Sequence, residues 1–227
     1  MKQFAFVLLL VAGLFAVSSG PRARPQAESA SADTSIYRVT SAHLRTTIEE
    51  GERVVYLDGG VRIDHETTTI TSVRGKHYPN RRYIVLYDSV RVVDGTAEIL
   101  SDVGEYFGLT NTVELEGRVR FSDRGWIARC DRVKYNRATR TAVLTGHLSA
   151  ADSTRTMRAD TVFYDRDREV ADATGRVVIV DTVQDYSLAG DHASFDRVKK
   201  KAVIDARPVL TFDLKTQDKG MVTSRIM

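Results

Sequence analysis

The sequence has little of what redox, metal or nucleic-acid chemistry is built on. Cys130 is the only cysteine in 227 residues, so no intrachain disulfide forms and burial and backbone hydrogen bonding must hold the fold. No cysteine follows the N-terminal apolar run, which argues against a lipid anchor there. There is no CxxC, no Gly-rich phosphate loop and no Ser–His–Asp order. The five histidines, His43, His65, His77, His147 and His192, show no metal-ligand spacing and are expected on the surface or in turns. Neither sign of charge dominates: 33 basic and 30 acidic residues leave +3, without the concentrated basic face that nucleic acid requires. The expectation is a protein with no cofactor, no metal, no catalytic residues and no nucleic-acid partner.

Apolar residues make up 42% and charged residues 28% of the chain, enough for a packed core in one or two domains. Lys2 precedes an apolar run from Phe4 to Val17, followed by Ser18, Ser19 and Gly20. That run is shorter than the roughly 17–25 residues a bilayer span needs. Residues 1–19 therefore read as an export signal, with an uncleaved inner-membrane anchor as the alternative. Residues 20–35, rich in Pro, Ala and Ser, read as a flexible linker, and 215–227 as a loose tail. Residues 36–214 form the body.

The body repeats. Cys130-Asp131 to Tyr135, Ala159-Asp160 to Tyr164 and Gly190-Asp191 to Phe195 align, and fifteen residues after each Asp come Gly146, Gly175 and Ala206. Extended upstream, the anchors are 59, 88, 117, 146, 175 and 206, a 29-residue period with two residues inserted around Gln184–Tyr186. The residues four and two before each anchor, and two and four after it, are all apolar. In the first three copies they are Val55, Leu57, Val61, Ile63; Ile84, Leu86, Val90, Val92; and Val113, Leu115, Val119, Phe121. In the last three they are Ala142, Leu144, Leu148, Ala150; Ala171, Ala173, Val177, Ile179; and Ala202, Ile204, Pro208, Leu210. Polar residues such as Glu114, Glu116, Arg118, Arg120 and Arg176 fall between them. Period-two alternation places the two sets on opposite faces of a strand.

A second, shorter strand, marked by Val133 and Tyr135 or Val162 and Tyr164, precedes each anchor strand across a charged turn such as Asp165-Arg166-Asp167-Arg168. Six such pairs give about 12 strands stacked into an elongated body, because one copy cannot bury its apolar face alone. The fold class is all-β, an antiparallel open roll. A glycine anchor suits a bend. The repeated Asp residues are expected to be structural, at strand starts. Cys130, at the position of Ser101, Ala159 and Gly190, is expected to be a small buried filler. The alanines concentrated in the C-terminal half mean either close sheet packing or room for a ligand.

The pattern of a small residue, Asp, an aromatic four residues after the Asp, and later Gly-x-Val resembles the OstA-like family. Ala159-Asp160 to Tyr164-Asp165 with Gly175-Arg176-Val177 carries it best, and Cys130-Asp131 to Tyr135-Asn136 with Gly146-His147-Leu148 second. The copies at Gly59 and Asp88 depart from it: Val73 stands for the Asp and His77 for the aromatic. The resemblance implies a folded sheet, open along one side, that shelters lipopolysaccharide acyl chains during periplasmic transfer to the outer membrane. Its lining would be Val55, Leu57, Val61, Ile63, Ile84, Leu86, Val90, Val92, Val113, Leu115, Val119, Phe121, Leu144, Leu148, Val177, Ile179, Ile204 and Leu210. It also implies edge-strand joining to other Lpt-type envelope proteins and head-to-tail self-association. An anchored inner-membrane relative of the same fold and a lipid-free structural scaffold are the rival readings.

Overall fold

The computed structural model describes residues 36–212 and 220–223. The expected signal at 1–19 and the linker at 20–35 lie outside the described residues. The expected tail contains one described strand.

Among the described residues, seventeen strands form one antiparallel sheet that does not close into a barrel. They are β1 (Arg38–Thr40), β2 (His43–Glu49), β3 (Glu52–Asp58), β4 (Val61–His65), β5 (Thr68–Ser72) and β6 (Arg74–Tyr78), then β7 (Tyr83–Asp94), β8 (Ala97–Phe107), β9 (Thr112–Asp123) and β10 (Trp126–Asn136). The rest are β11 (Thr141–Ala151), β12 (Arg155–Asp165), β13 (Val170–Asp181), β14 (Tyr186–Asp196), β15 (Lys201–Asp205), β16 (Val209–Phe212) and β17 (Gly220–Thr223). The expected 12 strands are there as 12 bent strands. Four of them break at the bend into two (β1/β2, β3/β4, β5/β6 and β15/β16), and β17 is additional. The strand before each anchor is not shorter: β10 and β11 have 11 residues each.

Each bend sits at an anchor, where two consecutive residues take positive φ: Gly117 and Arg118, Gly146 and His147, Gly175 and Arg176, and also Asp88 and Ser89, Ala206 and Arg207. The pair turns the strand and preserves the inward phase, so residues two before and two after the anchor face the same side. The anchor strand carries one residue more than its partner, a bulge. Opposite Gly146 and His147, the β10 register jumps from Arg129 to Arg132, and Asp131 faces the bulge. A Cβ on Gly146 would overlap Asp131 Oδ2, which explains why Asp and Gly recur fifteen residues apart. The repeated Asp residues are thus structural, but they stand at mid-strand, opposite the anchor bulges, rather than at strand starts, because each strand runs through the corner.

Outside each bend the Asp meets the residue after the anchor. Arg118 Nη2 lies 2.6 Å from Asp102, Arg176 Nη2 2.6 Å from Asp160, and His147 Nδ1 2.7 Å from Asp131. At the Asp88 corner the roles reverse and Arg74 reaches the anchor's carboxylate at 2.7 Å. The hydrogen bonds from Arg118 and Arg176 hold the Asp102 and Asp160 carboxyls below the usual range. These pairs are solvent-exposed and so weigh little in stability.

The bend folds the sheet into two leaves. One carries the strand halves ending at turns 108–111, 137–140, 166–169 and 197–200. The other carries those ending at turns 66–67, 95–96, 124–125, 152–154 and 182–185. One continuous core runs between the leaves from Leu57 to Ala193. The inward residues Leu57, Val61, Ile63, Ile84, Leu86, Val90, Val92, Val113, Leu115, Val119 and Phe121 are buried, as are Leu144, Leu148, Val177 and Ile179. Val55, Ile204 and Leu210, near the sheet's ends, are half-buried.

Candidate functional site

The free margins of the two leaves meet along a seam, and the repeat's aromatic position closes it. His77, Tyr106, Tyr135 and Tyr164 occupy that position in successive copies. Tyr37 Oη lies 3.2 Å from His77 Nε2, and His65 Nδ1 lies 2.5 Å from Tyr106 Oη. The Tyr135 hydroxyl donates to Asp94 Oδ2 at 2.6 Å, and that of Tyr164 to Asp123 Oδ2 at 3.2 Å. Each contact joins residues of opposite leaves, so the seam is laced by four rungs. His65 is correspondingly buried, which corrects the expectation that all five histidines are surface or turn residues; the interior position and the Tyr106 partner explain it.

Arginines two residues after the aromatic reinforce the rungs. Arg137 reaches Glu66 at 2.5 Å, Asn111 at 2.7 Å and His65 at 3.2 Å. Arg166, with 2% of its side chain exposed, bonds Asp123 through Nε at 3.1 Å and has Nη1 at 3.5 Å from Asp94 Oδ2. Thr67 and Thr96 donate to Asp94 and Asp123 from the neighbouring turns. Arg124 bridges to Glu169 across the same seam. Two of the charged turns therefore point an arginine inward. The tyrosine followed two residues on by arginine, in Tyr135-Asn136-Arg137 and Tyr164-Asp165-Arg166, was the available signal.

The next rung is missing. Its aromatic is Phe195, which has no hydroxyl. The acid that stands 29 residues after Asp123 is Asp152, whose Oδ1 accepts from the backbone amides of its own turn, Thr154 and Arg155. Arg197 pairs with Glu169 on its own leaf at 3.6 Å.

Where the seam is unlaced, a cavity of about 650 Å³ opens. Ala128, Leu144, Leu148, Ala150, Met157 and Val162 line it together with Ala171, Ile179, Phe195 and Ala202. Of the expected groove residues the structure brings Leu144, Leu148 and Ile179 to this cavity. Those from Leu57 to Phe121 pack inside the laced section, with Val177 buried beside it. Of the five alanines that left two readings open, Ala150, Ala171 and Ala202 line the cavity, while Ala142 and Ala173 are buried in close sheet packing. Its margin carries Arg124, Arg155, Arg197, Lys200 and Lys201 against Asp152, Glu169 and Asp196. A volume of this order, mostly apolar within and polar at the rim, suits one or two hydrocarbon chains carrying a polar head. Cys130 is buried, its thiol pushed up to about 11 by burial, and is inert filler as expected. No cluster of three or more His, Cys, Asp or Glu residues suited to a metal ion occurs among the described residues.

Open ladder edges lie at both ends. Among the described residues β2 pairs only with β3, and β15 only with β14. Leu44 and Ile48 on β2 are exposed, as is Val203 on β15.

No curated protein matches the chain. A family model described as OstA-like protein matches residues 33–147. That span includes the Asp88 copy, whose Asp and aromatic positions are taken by Val73 and His77. His77 takes the seam role through Tyr37. Beyond residue 147 the same bent-strand repeat continues through the copies at Gly175 and Ala206. With half of its length matched by the family model, and the repeat running on past that match, the chain belongs to the OstA-like family.

Proposed function

We propose that this chain is a non-catalytic envelope protein that shelters the acyl chains of a lipopolysaccharide-type lipid in the cavity of its C-terminal section. The observation that carries the reading is the cavity itself: an apolar compartment opened by the loss of one rung, with basic side chains at its margin. Membership of the OstA-like family supports it. So does the physics of the cargo. Each methylene costs about 0.8 kcal/mol to hold in water, so a long chain crosses an aqueous compartment only if covered. The Arg155, Arg197, Lys200 and Lys201 side chains complement a phosphorylated head group left outside.

In this reading the protein works in the periplasm, exported by its N-terminal segment. It meets Lpt-type partners, or further copies of itself, by strand addition at β2 and β15, which among the described residues pair on one side only. The test is native mass spectrometry of the full chain purified from a lipopolysaccharide-producing envelope. The expected result is a lipid adduct that survives desalting. A protein that stays lipid-free, even after incubation with excess lipopolysaccharide, would mean a closed scaffold instead.

A further inference from the structure

We infer that the lipid compartment is a blind pouch with one mouth at the C-terminal end, so that a lipid enters and leaves this chain by the same opening and does not pass through it lengthwise. The inference rests on the lipid reading above and adds a direction to it.

The pouch has a floor. Phe121 and Trp126 stack with ring centres 5.1 Å apart, and Tyr164 stands edge-on to Trp126 at 5.1 Å and to Phe121 at 6.1 Å. Trp126 and Tyr164 face the cavity, while Phe121 is fully buried. Phe121 and Trp126 stand on one leaf and Tyr164 on the other, so the three rings bridge the leaves. The Tyr164 hydroxyl is tied to Asp123 at 3.2 Å, which fixes the trio to the last closed rung.

Behind the floor there is no room without opening the seam. Leu86, Val90, Val113 and Leu115 are fully buried against one another's leaf, and the margins above them are laced by the Tyr106, Tyr135 and Tyr164 rungs. A hydrocarbon chain pushed past Phe121 would have to spread those margins, and it offers no hydrogen bond to the polar groups released. Asp94, Asp123 and Arg166 would lose their partners in an apolar setting, which is costly for charged groups. In front of the floor the side chains retreat. The position four before each anchor is Val55, Ile84 and Val113 in the first three copies and Ala142, Ala171 and Ala202 in the last three. The small residues begin one copy before the seam opens: Ala142 is still buried between the Tyr135 and Tyr164 rungs, and it is Ala171 and Ala202 that line the cavity. Phe195 is the break: it keeps the ring that packs inside and lacks the hydroxyl that would make the next rung.

The chain in which photo-leucine replaces every leucine tests this without altering any side chain's size. It is incubated with lipopolysaccharide, irradiated and mapped by peptide mass spectrometry. Leu144 and Leu148 lie in front of the floor; Leu57, Leu86 and Leu115 lie behind it. The expected result is lipid on the first two at least about tenfold above the other three, the ratio that roughly 1.4 kcal/mol sustains. Equal labelling on both sides would overturn the pouch and make the chain a conduit, leaving the lipid reading intact. Labelling at none of the five, with lipopolysaccharide in excess, would overturn the lipid reading and the pouch with it.

Discussion

Tyr135 and Asp94, 41 residues apart in the chain and on opposite leaves of the sheet, share a buried hydrogen bond of 2.6 Å. The bond closes the seam at its middle. Removing the hydroxyl with Tyr135→Phe leaves the ring in place and takes one donor from a carboxylate that is 3% exposed. The expected loss is about 1–3 kcal/mol, measured as a lower urea midpoint with an unchanged slope. A fall in slope as well would mean that the leaves part before the sheet unfolds.

Arg166 is worth more than any single tyrosine because it serves two buried acids. Arg166→Ala leaves Asp94 and Asp123 with their hydroxyl donors and without the buried cation between them, and breaking a buried pair from one side costs about 3–5 kcal/mol. Arg176→Ala, at an exposed corner pair of similar geometry, is expected to leave the midpoint nearly unchanged. Equal effects in the two variants would mean that the seam charges are solvated and the rungs are not a closure.

The seam also sets an alkaline limit. Burial, with the neighbouring Asp123 carboxylate adding to it, pushes the Tyr164 phenol up to about 12, against about 10 in an unfolded chain. The folded state therefore holds this proton more tightly. Its contribution is complete below pH 10 and is lost as pH rises toward 12, where the unfolded state has released its proton and the folded state has not. Urea midpoints measured from pH 8 to 12 are expected to fall through this window, and less steeply in Tyr164→Phe. A wild-type curve that stays flat to pH 12 would contradict the closed rung.

Much of the fold was written in a 29-residue period. The inward set follows from alternation alone, and the 12 bent strands follow from counting copies. The corner was half legible. Glycine at an anchor signals a bend, but the bulge at Gly146 that Asp131 faces appears only when the register is known. The seam was not legible, because it joins residues 41 to 43 apart whose contact depends on how far the leaves fold. Arg137 and Arg166 sit in polar, turn-like segments, where charge ordinarily faces water; only the fold shows that water is excluded there. The site was legible in composition and not in extent. Alanine at 150, 171 and 202 was ambiguous until the missing rung at Phe195 placed open space beside those residues.

The corner itself can be tested by a cycle. At Gly146 φ is +78°, and an added Cβ would overlap Asp131 Oδ2. Gly146→Ala thus carries both backbone strain and a clash, and is expected to cost about 1–3 kcal/mol. Asp131→Ala should remove the carboxylate's part of the clash and leave the contact with its own Cβ and the strain, so the double variant is expected to be more stable than the sum of the singles. Strict additivity, read from urea midpoints, would mean that Asp131 swings away freely and the spacing of Asp and Gly has another cause.

Ala171 offers the most direct probe of the cavity. It stands opposite Tyr164 on one side and Phe195 on the other in the cross-strand register, faces the open space, and is only half-buried. Ala171→Phe puts a ring where the structure has room, so stability is expected to hold. The ring takes the volume of several methylenes of a bound chain, and exclusion of even two methylenes, at about 0.8 kcal/mol each, lowers affinity by roughly tenfold or more. Val178→Phe, on the outward face of the same strand, is the control and is expected to change nothing. Titration with a fluorescent fatty acid, displaced by lipopolysaccharide, reads both variants on one scale. Tighter or unchanged binding in Ala171→Phe would place the lipid elsewhere. Loss there, with Val178→Phe unaffected, ties binding to the compartment that the absent hydroxyl of Phe195 leaves open.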